Sequence, residues 1–197
     1  HEWPAGRDKK RSPLHDRITA LGGQMGAYNG WERANWFARP GDDTSHEATQ
    51  TWDRAGPWSE RIREECEAVR DTCGILAISG FTRLKVTGPG ARAYVDGLTA
   101  SRLPNPGRIG LIYFADARGR IVTEMSAMVH GDDDVGLITA AVAQWHDAEW
   151  LSRNAPEGIT ITDHSNDVEC LLVTGPRARD ILAPLTDHDL SKPWLTT

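Results

Sequence analysis

The sequence lacks an excess of positive charge and lacks any long apolar run. Its 22 Lys and Arg residues are outnumbered by 28 Asp and Glu residues, which gives a net charge of −6 and a pI near 5.6. This balance excludes the concentrated basic surface that nucleic-acid binding requires. No apolar stretch approaches the roughly 20 residues of a membrane-spanning helix, and no signal segment opens the chain. We therefore expect neither nucleic acid nor membrane as a partner. Because the chain starts at His1, we expect a fragment or a processed product.

Cysteine is also scarce. The three cysteines show no spacing typical of a disulfide framework, and a zinc site needs a closer cysteine pair or partner histidines, so we predict no metal site. Ile62, Cys66, Val69 and Cys73 recur at helical spacing and are interpreted as small core residues on one helix face. Free thiols favour a reducing compartment, the cytoplasm or the mitochondrial matrix of a eukaryote.

What the sequence does contain is a repeat. LKVTGPGARAYVDGL begins at Leu84 and LLVTGPRARDILAPL begins at Leu171, so the shared V-T-G-P recurs with an offset of 87 residues. Each copy reads as a strand that ends at Gly-Pro and turns into a short helix, because proline suits the first helical turn. The repeat predicts an α+β fold with internally duplicated strand–turn–helix units and an antiparallel sheet.

The remaining elements follow from periodicity and turn residues. A helix is predicted from 58 to 71, with Gly74 just past its end, and three antiparallel strands are predicted between residues 107 and 140. Residues 141–153 predict a helix with Val142 and Trp145 on its apolar side. Residues 1–57 lack sustained periodicity, so we predict two parts: a linker with an irregular, aromatic-rich entry segment over 1–57, and the domain proper over 58–197.

Two features of the sequence are candidates for ligand binding. Gly88 and Gly90 before a helix could hold a phosphate, but Ala93 stands where a third glycine belongs and no Walker lysine follows, so scaffold is favoured. The segment Trp31–Phe37 places charged residues between two tryptophans. It is either an aromatic shelf for a ligand or a structural anchor, and the anchor is favoured.

Glu124 is the candidate for chemistry. In the strand RIVTEMSAMV it alternates with Met125, so it shares a face with Ser126 and Met128, and that face is otherwise mostly apolar. If the face is buried, the carboxylate needs a partner or a ligand, and burial moves its pKa toward useful proton chemistry. If it is an edge strand facing solvent, Glu124 is an ordinary surface residue. The residues alone leave both interpretations open.

Several longer segments together resemble a known family. SPLHDRITALGGQMGAYNGWERANWFA resembles the entry to the folate-binding half of dimethylglycine and sarcosine dehydrogenases. The stretch from Trp58 to Leu98 and the segment GRIGLIYFADARGRIVTEMS resemble their aminomethyltransferase-like module, which the glycine-cleavage T-protein shares. With LLVTGPRARDIL and DHDLS, the resemblance covers roughly residues 10–192. It implies an aminomethyltransferase folate-binding-domain-like fold.

The resemblance also implies a function. It identifies the chain as the tetrahydrofolate-binding part of an FAD-dependent N-methyl amine dehydrogenase or oxidase, which passes the released one-carbon unit on as methylene-tetrahydrofolate. The family carboxylate maps onto Glu124, with Met125 and Ser126 as further folate contacts. FAD is implied in an upstream domain or subunit, and the rest of the module in a further C-terminal part. The alternatives are a flavin-free aminomethyltransferase or folate-dependent demethylase, and a non-catalytic folate-fold module.

Overall fold

The computed structural model describes residues 4–197, which fall into two compact units. The first unit contains the described residues up to Ser79 together with Glu169–Leu190, and the second contains Gly80–Val168 and Ser191–Thr197. The chain therefore leaves the first unit, builds most of the second, and returns. The boundary predicted at residues 57 and 58 stays a prediction about domain organisation.

Six helices and nine strands are described. The helices are α1 (His15–Ala20), α2 (His46–Thr49), α3 (Trp58–Asp71), α4 (Ala91–Leu98), α5 (Gln144–Asn154) and α6 (Ala178–Leu182). The strands are β1 (Gly23–Tyr28), β2 (Trp31–Phe37), β3 (Gly74–Ala77), β4 (Phe81–Thr87), β5 (Arg108–Ala115), β6 (Ile121–Gly131), β7 (Asp134–Ala140), β8 (Thr160–Asp163) and β9 (Leu171–Thr174). The helix at 58–71 and the three strands between 107 and 140 confirm the predictions from periodicity.

The second unit is built on a five-stranded antiparallel sheet with the order β5-β6-β7-β4-β8. Alternate residues of the strands point to one side and form a core with residues of α4 and α5, as period-two patterning requires. The core members include Leu84, Val86, Val95, Ile112, Phe114, Met125, Ala127, Val129, Val135, Leu137 and Leu151. The Tyr94 hydroxyl joins the two helices by donating to the Leu151 carbonyl oxygen at 2.6 Å.

The first unit contains a hairpin where we predicted an irregular segment, and that prediction is wrong. Strands β1 and β2 pair in antiparallel fashion across Asn29-Gly30, whose φ angles are 51° and 84°. Positive φ at both central residues is the geometry of a tight hairpin turn, and Asn-Gly is the sequence that favours it. Trp31 opens β2 fully buried, which confirms the structural-anchor interpretation for this residue.

The duplication extends beyond the repeated motif. With the same 87-residue offset, α3 and β3 correspond to α5 and β8, and Trp58 corresponds to Trp145. Strand β3 of the first copy pairs with β9 of the second, whereas β4 of the first pairs with β8 of the second. Each unit therefore combines a helix and strand from one copy with a strand and helix from the other.

The predicted burial of side chains on two helices is corrected. Helix α3 has no buried residue: Cys66 is exposed and Cys73 is half-buried, because the helix packs against β2 and β3 and leaves much of its apolar stripe open. On α5, Trp145 is 74% exposed, whereas Asp147 and Leu151 face inward. The inward side of this helix carries a buried carboxylate, which an apolar pattern cannot reveal.

Candidate functional site

The side of the five-stranded sheet opposite the core is partly exposed to solvent, and we call it the open face. On β6 it carries Glu124, which is exposed, followed by half-buried Ser126 and Met128. The buried members of the same strand alternate with these residues. The predicted alternation is confirmed, and it places the candidate carboxylate on the open face.

Apolar side chains surround Glu124 on this face. Tyr113 lies directly opposite Glu124 in the β5–β6 pairing, and Leu111 lies opposite Ser126. Tyr113 is 36% exposed and Leu111 is 53% exposed. Sequence reasoning left Tyr113 out, although its place follows from the register of the hairpin around Gly119. A flat, partly exposed apolar surface of this kind is typical of ligand or partner binding.

The Glu124 carboxylate has no ion pair or side-chain hydrogen bond within residues 4–197. Its backbone carbonyl oxygen lies 3.5 Å from the Thr139 hydroxyl oxygen. Arg83 lies on the same face through its pairing with Ile138, yet its guanidinium donates to the carbonyl oxygens of Phe81 and Ser165. Arg83 is thereby 7% exposed. The negative charge of Glu124 is thus available to a group from outside these residues.

Met125 lies on the other side of the sheet. Its side chain is 1% exposed and belongs to the core, beneath the open face. The structure therefore brings Glu124 and Ser126 together and separates Met125 from them. Met128, two residues beyond Ser126, completes the row on the open face, with its methyl group close to Gly136.

A buried carboxylate holds the two strands on which Glu124 depends. Asp147 on α5 is fully buried and accepts hydrogen bonds from the hydroxyls of Thr139 at 2.6 Å and Thr123 at 3.1 Å. Its other oxygen lies 2.9 Å from Nδ1 of His146. Thr123 precedes Glu124, and Thr139 contacts the Glu124 carbonyl, so this network fixes the backbone of β6 and β7 from below.

The Gly-Pro turn before α4 gives no support to a phosphate loop. The backbone N–H of Gly90 donates to the carboxylate of Asp133 at 2.8 Å, and Arg92 lies 3.7 Å from Asp132. An acidic side chain therefore takes a donor that a phosphate would use, and a second carboxylate lies nearby. The acidic turn Asp132–Asp134 thus stabilises this connection.

One group of potential metal ligands lies within the described residues, although the sequence predicted no metal site. Ligand atoms of Asp8, His15 and Glu32 lie within 4.8 Å of one another. Glu32, however, receives two hydrogen bonds from Arg7 at 2.9 and 2.6 Å, and Arg11 pairs with Asp8 at 2.9 Å. The two guanidinium groups already balance the carboxylates, so an ion-pair network describes this group.

Comparison with known proteins extends these findings. Dimethylglycine dehydrogenase of rat (Rattus norvegicus) mitochondria is 28% identical over 95% of this chain and 22% of its own length. The aminomethyltransferase of Parafrankia sp. (strain EAN1pec) is 29% identical over 89% of this chain and 43% of its own length. This chain therefore spans less than half of either relative.

A solved structure shares the fold. The glycine cleavage system aminomethyltransferase T from Bartonella henselae superposes with a TM-score of 0.70 over 95% of this chain and 46% of its own, at 17% identity. No helix in residues 4–197 is long and apolar enough to cross a membrane. The family model described as the GCVT N-terminal domain matches residues 14–196, nearly the whole chain. The chain belongs to the GCVT N-terminal domain family, with the aminomethyltransferase fold.

Proposed function

We propose that this chain is the tetrahydrofolate-binding part of an FAD-dependent dehydrogenase or oxidase of N-methyl amines such as dimethylglycine or sarcosine. In this proposal FAD belongs to a partner domain or subunit, and the rest of the folate-binding module is supplied by a further C-terminal part. Support comes from the similarity to dimethylglycine dehydrogenase over 95% of the chain. The cytoplasm or the mitochondrial matrix is the proposed location.

The observation that carries the proposal is the carboxylate of Glu124 on a partly exposed apolar face. A folate ring system is flat and largely apolar on its faces, and it carries polar groups on its edges. Tyr113 and Leu111 offer area for such faces, whereas Glu124 and the Ser126 hydroxyl offer polar contacts. These residues fit the chemistry of the ligand. Met125 is proposed to support the strand from the core.

Glu124 is the residue proposed to assist the transfer. Bound tetrahydrofolate supplies a nucleophilic amine that accepts the one-carbon unit. The amine would add to the carbon of a protonated imine, and the positive charge then lies on the attacking nitrogen, which loses a proton. The nitrogen of the original substrate takes up a proton and leaves as the demethylated amine, so that the one-carbon unit stays on the folate. The Glu124 carboxylate, without an ion-pair partner in the described chain, can balance that charge and accept that proton.

A second candidate function is a flavin-free aminomethyltransferase. It is supported by the match to the Parafrankia aminomethyltransferase, which is 29% identical over 89% of this chain. An FAD domain encoded in the same reading frame decides against it. The same open face and Glu124 serve both functions. A module that only binds or assembles shares the fold without the transfer.

Calorimetric titration of tetrahydrofolate tests the proposal. We expect Glu124→Ala to weaken binding by about tenfold, the equivalent of one charge-assisted hydrogen bond of roughly 1.4 kcal/mol. The matched control is Glu149→Ala, since Glu149 is also exposed in the second unit but pairs with Arg153. Unchanged affinity in Glu124→Ala confines that residue to a structural role. No binding by the wild-type chain refutes a folate site formed by this chain itself.

A further inference from the structure

The first unit contains an open cavity that the proposed folate role does not use. It measures about 420 Å³ and lies against the hairpin β1–β2, the loop containing α2, and the start of α3. This volume falls within the range of small-molecule sites, roughly 300–1,000 Å³. Its size therefore suits a ligand of one or two rings.

Two tryptophans form flat walls of the cavity. Trp36 on β2 is 6% exposed, and Trp58 at the start of α3 is half-buried. The Trp58 ring lies directly against Gly56, where an added Cβ would come within 2.2 Å of it. The glycine thus lets the ring take this position. Aromatic walls bind planar rings through stacked or edge-to-face contacts.

A β-bulge brings a free amide to the same cavity. The pairing steps from Gln24 opposite Trp36 to Met25 opposite Ala34, which leaves Asn35 as the extra residue of β2. Bulges redirect a side chain and are common beside binding sites. The Asn35 amide, which lines the cavity, has no hydrogen-bond partner among the described residues. Gln24 adds a second amide, which already donates one N–H to the Gly22 carbonyl oxygen at 3.0 Å and keeps its oxygen and its second N–H for a ligand. Each amide offers both a donor and an acceptor.

Among the residues that the structure describes, no lysine, arginine or carboxylate lines the cavity, and His46 contributes an imidazole. The other polar groups are amides and the hydroxyls of Thr44 and Thr49. A phosphate, a carboxylate or a metal ion would find no counter-charge from lysine, arginine or a carboxylate here. The lining therefore selects for a neutral ligand.

An ion pair fixes the loop that closes one side. Arg61 of α3 donates to both carboxylate oxygens of Asp42, at 2.8 and 2.9 Å, and the backbone N–H of Arg39 donates to the same carboxylate. The hydrogen bond from Arg61 holds the pKa of Asp42 well below its usual range. The loop is anchored without any ligand, which lowers the ordering cost of binding.

We propose that this cavity binds a neutral heterocyclic amide, a ring of the nucleobase or nicotinamide type, with its face against Trp58 and its edge toward the Asn35 and Gln24 amides. All of the cavity residues belong to the first unit, so the proposal is independent of the folate role assigned to the open face of the second.

Methionine-methyl NMR tests the proposal, because the chain has only three methionines and Met25 lines the cavity. Nicotinamide, uracil and hypoxanthine are titrated separately into the ¹³C-methyl-labelled chain, up to about 10 mM, since ligands of this size bind weakly. We expect at least one probe to shift the Met25 methyl signal and to leave the buried Met125 signal unchanged.

Two variants and one control sharpen the test. Asn35→Ala removes the free amide at an exposed position, and Gly56→Ala displaces the Trp58 ring. Each substitution is expected to weaken binding of the probe by tenfold or more. Trp52→Leu is the control, because Trp52 is fully exposed and lies outside the cavity. The proposal is overturned if no probe shifts the Met25 signal, or if both cavity variants bind the probe as tightly as the wild type does.

Discussion

Glu32 and Asp147 are carboxylates that the fold buries for structural reasons. Glu32 lies on β2, is 2% exposed, and accepts hydrogen bonds from Arg7 and from the backbone N–H of Asp8, the latter at 2.7 Å. Asp147 has hydroxyl partners and His146 instead of an arginine. Glu124 differs from both because it is exposed and has no such partner. This contrast at the residue scale separates scaffold from candidate site.

A lower pH is expected to destabilise the β1–β2 hairpin, because Glu32 becomes protonated. The hydrogen bond from Arg7 holds the pKa of Glu32 below its usual 4.5. Its contribution to stability is therefore complete above pH 4.5 and disappears as the pH falls through the lower, folded-state pKa. Melting temperatures between pH 7 and 3 should fall less steeply in Glu32→Gln than in the wild type. Glu47→Gln, at an exposed position, should keep the wild-type slope; equal slopes in all three proteins contradict the assignment.

Removal of the Asp147 carboxylate is expected to destabilise the second unit. Asp147→Ala leaves two strand hydroxyls without their acceptor, at a cost of about 1–3 kcal/mol. Asp147→Asn keeps one acceptor oxygen and the shape of the side chain, so its free energy of unfolding should decrease by less than that of Asp147→Ala. Urea unfolding measures both. Asp167→Ala, at a 69% exposed position, is the control. Equal stability of Asp147→Ala and the control refutes the role of the network.

At the element scale, the two copies of the repeat share a detailed backbone conformation. Gly88 has φ 121° and Gly175 has φ 127°, and in each copy the residue three positions later donates its N–H to the glycine carbonyl, at 3.0 and 3.1 Å. In each copy a backbone carbonyl crosses close to the glycine. The copies lie in different units, so this geometry is a property of the repeated sequence itself.

Alanine at either glycine is expected to be destabilising. A Cβ would lie 2.1 Å from the Gly158 carbonyl oxygen at position 88, and 2.5 Å from the Thr72 carbonyl oxygen at position 175. With the unfavourable φ, each substitution should cost about 1–3 kcal/mol in urea unfolding. Gly97→Ala is the matched control, because open space surrounds this glycine inside α4. Alanine at this helical position should raise the free energy of unfolding by about 0.5–1 kcal/mol. Stability gains at Gly88 or Gly175 would be incompatible with this geometry.

The sequence predicted those elements whose signals are local. Helix α3, the Gly-Pro turns and the strands around Gly119 follow from periodicity and turn residues within a dozen positions. The hairpin at Asn29-Gly30 carried an equally local signal, which the surrounding tryptophans and glycines obscured. Pairing of β3 with β9 joins residues about 100 positions apart, and no local pattern encodes such a contact.

For the candidate site, alternation predicted the face of Glu124 correctly but not its surroundings. The position of Tyr113 opposite Glu124 depends on the β5–β6 register. The position of Asp147 beneath β6 and β7 depends on the packing of α5. Both positions depend on tertiary contacts, which a local sequence pattern does not encode. The separation of Met125 from Glu124 was contained in the period of two, whereas its prediction as a folate contact came from the resemblance. Because its side chain is 1% exposed, the role we propose for it is to support the strand from the core.

For the whole molecule, the relatives are longer than this chain, which spans 22% of the rat dehydrogenase and 43% of the Parafrankia aminomethyltransferase. Apolar residues of the β3–β9 ribbon are exposed, among them Ile75 at 64% and Leu76 at 50%. Exposed apolar area of this extent is typical of surfaces that contact further protein. This agrees with the proposal that partner domains or subunits complete the module.

The three methionines allow the central claim to be tested by one measurement, because they report separately on the open face, the core and the first unit. Tetrahydrofolate is titrated into the chain with ¹³C-labelled methionine methyl groups. The account predicts a saturable shift of the Met128 signal, a smaller change at buried Met125, and a titration midpoint about tenfold higher for both signals in Glu124→Ala. An unmoved Met128 signal, or a shift confined to Met25, would contradict folate binding on the open face.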